Sequence, residues 1–235
     1  MIVLLPPSEG KAEGGRGTWS FEAGAFGALG DGRRAVVAAL AEADPKVFGA
    51  TGARAERAAD AVRALVAETA PALPAWRRFT GVVWEHLDPA TLPPAARRRI
   101  LVPSAVLGLC RGDDPTPDFR LKFGVSLPGL GRLDRWWRPA LTSALARSRG
   151  PVVDLLPNEH AAALDLSSLG SRVVRVTFAD AGGAAVGHNA KAVKGRVART
   201  VLVDGLDALA GFAWQGWCTE RTADGVVVHA PGRMR

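Results

Sequence analysis

Residues 1–7, "MIVLLPP", constrain the fold most strongly. The apolar run has none of the alternation of a strand with one wet face, and it stops at Pro6-Pro7, which cannot continue a ladder of hydrogen bonds. Such a run reads as a strand buried on both faces, inside a sheet covered by helices. "PVVDLLP" (151–157) and "RVVRVTF" (172–178) are continuous apolar or alternating runs typical of strands in a sheet core, and "TGVVW" (80–84) and "RILVPSAVLGL" (99–109) read as further strands. Helical periodicity runs from Arg33 to Glu42 and from Glu56 to Glu68, where Ala58, Ala61, Val62 and Leu65 share one face. "DRWWRPALTSALAR" (134–147) reads as a helix with Asp134 as an acidic N-cap candidate, in which Trp136 and Trp137 cannot both face the core. "RGDDPTP" (111–117) reads as loop and "FRLKFGVSL" (119–127) as extended chain. A short helix near Leu206 and Leu209 leads into a hairpin, "GFAWQGWCTE" and "GVVVHA", joined at "TADG". Strands and helices interleave without a strict repeat. The expected fold is therefore mixed α/β (α+β), one compact domain over residues 1–235 with a central sheet and a basic cleft, and not a common superfold.

The opening apolar run has no basic leader and is far too short to cross a membrane, so a cytoplasmic protein without a membrane partner is expected. No GxGxxG follows the first strand, and GxxxxGK[ST], GxSxG and HExxH are absent, so no cofactor is expected. Cys110 and Cys218 lie far apart in sequence, as do His86, His160, His188 and His229. No metal site is expected, and both cysteines read as buried small hydrophobes.

Charge points more sharply. The formal net charge is +7, which favours partners that are polyanionic or carry phosphate. Of the 30 basic residues only Lys11, Lys46, Lys122, Lys191 and Lys194 are lysines. A chain that writes arginine almost everywhere keeps lysine where a compact ammonium with a movable pKa is useful. "HNAKAVKGRVAR" (188–199) gathers two of them. On a helical wheel Ala190, Val193, Val197 and Val201 form the core stripe, while His188, Lys191, Lys194, Arg196 and Arg199 occupy the remainder around Gly195. This face suits a phosphate or a nucleic-acid backbone, with Gly195 leaving bare backbone amid the charge. The alternative is an amphipathic helix with a solvated polar face.

Five blocks in order, "LLPPSEGK", "PALPAWRRFTGVVWEHLD", "SAVLGLCRGDDPTPDFRLKFGVSLPGLGRLDRWWR", "VVDLLPNEH" and "HNAKAVKGR", resemble the YaaA family associated with bacterial peroxide stress. The resemblance implies a mixed α/β domain with a positively charged cleft, double-stranded DNA binding, and a role in limiting oxidative damage. The chain departs from the family blocks at Phe79 and Phe119, at His160 where an aromatic hydroxyl is usual, and at Ala190 and Val193, which replace an amide and a hydroxyl; it contains no tyrosine.

The resulting expectation is a double-stranded DNA-binding protein whose phosphate contacts are Lys11, Arg111, Arg120, Lys122, His188, Lys191, Lys194, Arg196 and Arg199. The competing expectation is an enzyme acting on a phosphorylated or nucleotide-like small molecule, with Glu9, Glu159 and Lys191 carrying proton transfer or nucleophilic attack. Shape separates the two: a long open groove suits DNA, and a pocket on which Glu9, Glu159 and Lys191 converge suits chemistry.

Overall fold

The continuous apolar runs form the centre of the molecule in the computed structural model, which describes residues 1–48, 52–180, 182–184, 186, 190–223 and 225–232. The first part of the chain comprises β1 (Ile2–Leu4), β2 (Gly17–Thr18), α1 (Gly30–Glu42), α2 (Ala53–Val66), β3 (Pro71–Pro74), α3 (Ala75–Arg78), α4 (Val82–Leu87) and α5 (Pro94–Arg97). The middle contains β4 (Ile100–Ser104), β5 (Gly108–Arg111), β6 (Pro115–Pro117), β7 (Ser126–Leu127), β8 (Gly131–Arg132) and α6 (Leu133–Ala146). There follow β9 (Val152–Asp154), α7 (Asn158–Ala161), β10 (Val173–Ala179), α8 (Lys191–Asp204), β11 (Ala213–Trp214), β12 (Trp217–Thr222) and β13 (Gly225–His229).

Eight strands make one sheet in the order β11-β12-β13-β10-β9-β1-β4-β5. The five from β13 to β4 are parallel, and the flanking strands pair antiparallel. Parallel strands need both faces covered, and Val3, Leu4, Val152 and Val153 are accordingly completely buried. This is the expected mixed α/β fold.

Three local readings are corrected. "TGVVW" is not a strand: Val82–Leu87 is the helix α4, burying Val83, Trp84 and Leu87, and five residues are too few to separate a strand from a buried helix turn. "RGDDPTP" is not all loop, since Pro115–Pro117 is the edge strand of a small sheet β2-β3-β6, the place where a sheet tolerates proline. "FRLKFGVSL" is strand only at Ser126–Leu127. At the start of α6 the residue expected to cap, Asp134, sits inside the first turn, where Arg132 bonds its carboxylate at 2.6 Å and holds it below the usual carboxylate range. Of the tandem tryptophans, Trp137 is fully buried with its indole N–H on the Ala105 carbonyl at 2.9 Å, and Trp136 is only partly covered.

Of the two cysteines, Cys110 is buried as expected and Cys218 is not. Cys110 is buried, which pushes its thiol up to about 12, whereas Cys218 on β12 is exposed. A disulfide reagent such as DTNB is therefore expected to titrate one thiol quickly in the folded protein and the second only on unfolding. Two fast thiols would contradict this placement of Cys110.

Candidate functional site

A cavity of about 620 Å³ opens beyond the carboxyl ends of β1, β4 and β9. β1 crosses over to β4 on one side, while β9 leads on to β10 on the other. The loops leaving β1 and β9 therefore diverge, and the crevice between them is where open α/β sheets receive ligands. Pro7 to Glu9 and Lys11 line it after β1, Ser104 to Leu107 after β4, and Glu159 with His160 after β9. The irregular chain at 119–125 closes the wall with Phe119, Arg120, Lys122 and Phe123, and Lys46 also reaches the cavity.

Buried anchors hold the loop after β1 in place. The guanidinium of Arg78, completely buried, donates to the carbonyls of Thr116 at 3.0 Å, Gly14 at 2.7 Å, Pro71 at 3.1 Å, and Ala12. Trp84 Nε1 donates to the Pro6 carbonyl at 3.1 Å, and the Thr80 amide donates to Ser8 Oγ at 3.0 Å. Lys11 forms a β-bridge with Phe79, which positions its ammonium 5.2 Å from the centre of the Phe79 ring and 2.6 Å from the Ser8 carbonyl. Burial, together with the Arg120 charge, brings the Lys11 amine down to about 8.

Elsewhere in the lining, His160 packs edge-on against Phe123 at 6.0 Å between ring centres. Its Nδ1 is buried without a hydrogen-bond partner. Desolvation lowers its pKa, and the nearby charges of Lys194 and Lys11 add to this while Glu159 opposes it. Behind the cavity's edge Asp154, 2% exposed at the end of β9, accepts the Leu156 amide at 2.9 Å, and its carboxyl is raised by burial.

The sequence candidates divide among several places. Glu9, Lys11, Arg120, Lys122 and Glu159 all line the cavity. Arg120 Nε donates to the Glu9 carbonyl at 2.8 Å, and its Nη1 meets Asp118 at 3.0 Å. Asp114 accepts the amides of Ala25 at 2.9 Å and Arg111 at 2.8 Å. Arg111 pairs with Asp113 and does not line the cavity.

Lys191 is exposed in the first turn of α8 and is absent from the cavity lining, so Glu9 and Glu159 meet there without it. Lys194 lies 5.3 Å from the centre of the Phe178 ring, and burial brings its amine down to about 8 despite the attraction of Asp154. Arg199 donates to the Leu87 and Asp88 carbonyls at 2.9 and 3.1 Å. Arg196 leans on Trp214 at 5.8 Å and, with Arg199, lines a second depression of about 440 Å³. His188 lies outside the described residues.

Gly195 is not bare backbone amid charge. It is buried against α4, where a Cβ would meet the Val83 carbonyl oxygen at 2.3 Å and the Leu87 nitrogen at 2.9 Å. It is a close-packing contact between two helices.

Sequence reading missed His160 as a site residue with an unpartnered nitrogen, and it missed Ser8. A signal for His160 was present: Phe79, Phe119 and His160, three of the positions that depart from the family blocks, line this one cavity.

Comparison with known proteins shows what the chain is similar to. The family model described as "Peroxide stress protein YaaA" matches residues 1–223. A UPF0246 protein of Streptomyces coelicolor is 36% identical over 220 residues, covering 87% of this chain and 84% of the relative. A UPF0246 protein of Corynebacterium glutamicum is 32% identical over 217 residues, covering 88% and 87%, and one of Corynebacterium efficiens is 30% identical over 214 residues, also covering 88% and 87%.

Proposed function

Because the chain belongs to the YaaA family of peroxide stress proteins, we propose that it serves that response in the cytoplasm by binding and acting on a phosphorylated or nucleotide-like small molecule in the cavity beyond β1, β4 and β9. One observation carries this reading: four cations, Lys11, Lys46, Arg120 and Lys122, and two carboxylates, Glu9 and Glu159, from segments far apart in sequence line one concave site. Cations of this kind suit a phosphate oxyanion. Carboxylates beside them supply proton acceptors or donors for a bound substrate. The apolar surfaces of Phe119, Phe123 and Leu107 suit the uncharged part of the ligand.

Lys122→Ala is expected to weaken binding of a pyrophosphate probe by roughly tenfold or more, the worth of one charge-assisted hydrogen bond. Calorimetric titration checks this, and unchanged affinity with intact folding would contradict it.

Double-stranded DNA is the second reading, favoured by the net charge of +7, by the exposed Lys191 in the first turn of α8 and by the depression that Arg196, Arg199 and Trp214 line. Binding of this kind is expected to be weak, indifferent to sequence and steeply salt-dependent, with a log-log slope of about −0.9 per phosphate contact. Affinity that stays flat from low to moderate salt would count against it.

A further inference from the structure

We infer that Lys11 is the nucleophilic amine of the cavity and forms an imine with an aldehyde or ketone group of a ligand that also carries a phosphate. This rests on the reading of the cavity as a site for a phosphorylated small molecule. Lys11 Nζ is tethered by a single hydrogen bond, which it donates to the Ser8 carbonyl at 2.6 Å, and it is flanked by the face of Phe79 at 5.2 Å. A tether that uses only one N–H leaves the nitrogen's lone pair available once the ammonium loses its proton. No carboxylate forms an ion pair with it among the described residues; the charged groups around it are Arg120, Arg78 and Asp118, with the Cys110 thiol also near. Two of these are guanidiniums, which favour the neutral amine, as burial does.

The same cavity carries a complementary group. His160 lines the cavity, and its Nδ1 is buried without a hydrogen-bond partner, an unmet polar group that marks this side chain out from the packed residues around it. The remaining cations of the lining, Lys46, Arg120 and Lys122, are the phosphate anchor. Only lysine can serve at position 11, because a guanidinium does not deprotonate near neutral pH. This also accounts for a lysine there in a chain that otherwise writes arginine.

The step balances without an oxidant or reductant. The lone pair of Lys11 Nζ attacks the carbonyl carbon, and the C=O π pair moves to oxygen. The proton released by the nitrogen passes to that oxygen, with the His160 ring as its hydrogen-bond partner. The carbinolamine then expels one water, leaving a C=N bond to Lys11.

The test uses the full chain and pyridoxal 5′-phosphate, a probe with an aldehyde and a phosphate, trapped with cyanoborohydride at pH 8 and located by peptide mass spectrometry. Lys11 is expected to carry the adduct in roughly tenfold excess over each of Lys46, Lys122, Lys191 and Lys194, because it combines a lowered amine with a place beside the cations that hold the probe's phosphate. Lys194, also brought down to about 8 but absent from the lining, is the internal control. Excess inorganic phosphate is expected to suppress the Lys11 adduct, and its rate is expected to rise through pH 8 and level off, a readout that needs no variant. Lys11→Arg is expected to abolish this adduct while leaving those at the surface unchanged. An adduct spread evenly over the lysines, or a Lys11 rate still climbing above pH 10, would overturn the inference. If phosphate raises the melting temperature of the protein but Lys11 is not labelled, the imine fails and the cavity reading stands; if phosphate neither stabilises nor protects, both fail.

Discussion

Arg78→Leu is expected to destabilise the protein by about 2–4 kcal/mol, because a completely buried side chain loses its hydrogen bonds to four backbone carbonyls, of which Thr116 is buried while those of Ala12, Gly14 and Pro71 lie nearer solvent. Those carbonyls belong to the loop after β1, to β3 and to β6, so a single planar fork ties together the segments that frame the cavity. Arg78→Lys is expected to recover less than half of the loss, since an ammonium cannot span the same four acceptors. Arg77→Leu, one residue away and exposed, is expected to stay within about 0.5 kcal/mol of the parent. Urea denaturation measures all three, and a loss below about 1 kcal/mol for Arg78→Leu would show that the loop is held by other means.

Gly195→Ala is the second large effect, and its sign is the informative part. In an exposed helix interior this change gains up to about 1 kcal/mol from helix propensity. Here the new methyl would sit 2.3 Å from the Val83 carbonyl oxygen and 2.8 Å from His86 Cβ, so α4 and α8 must separate. A net destabilisation of about 1–3 kcal/mol is expected, with a larger one for Gly195→Val. A stabilised Gly195→Ala protein would restore the view of Gly195 as bare backbone open to a ligand.

These two residues also show where sequence reading stops. β1, β4 and β9 are legible because burial on both faces is written as continuous apolar runs, and β10 because its apolar residues alternate with the exposed Arg175 and Thr177. α4 is not, because a run as short as "TGVVW" has no period of its own and its helix is settled by packing against α8. A helical wheel tells which residues of α8 share a face, but it cannot tell which neighbour covers that face. The row of charge from Lys191 to Arg199 is consequently divided among Phe178, Trp214 and the carbonyls that end α4.

Glu9, Lys11, Arg120, Lys122 and Glu159 stand out as polar groups in loops or at strand ends, which is a local property. That Glu9 and Glu159 share one cavity depends on β9 returning beside β1, a consequence of strand order that local sequence does not carry. Arg78 hides for the opposite reason: an arginine beside Arg77 reads as surface charge, and only the fold reveals the four carbonyls around it.

The most direct test of the cavity as the working site is survival under hydrogen peroxide of a bacterium lacking its own copy of this protein and supplied with variants of equal thermal stability. The account predicts that Lys122→Ala/Glu159→Gln loses protection while Lys191→Ala, on the exposed first turn of α8, keeps it. Protection that survives the cavity substitutions and disappears with Lys191→Ala would contradict the account and assign the function to the basic helix.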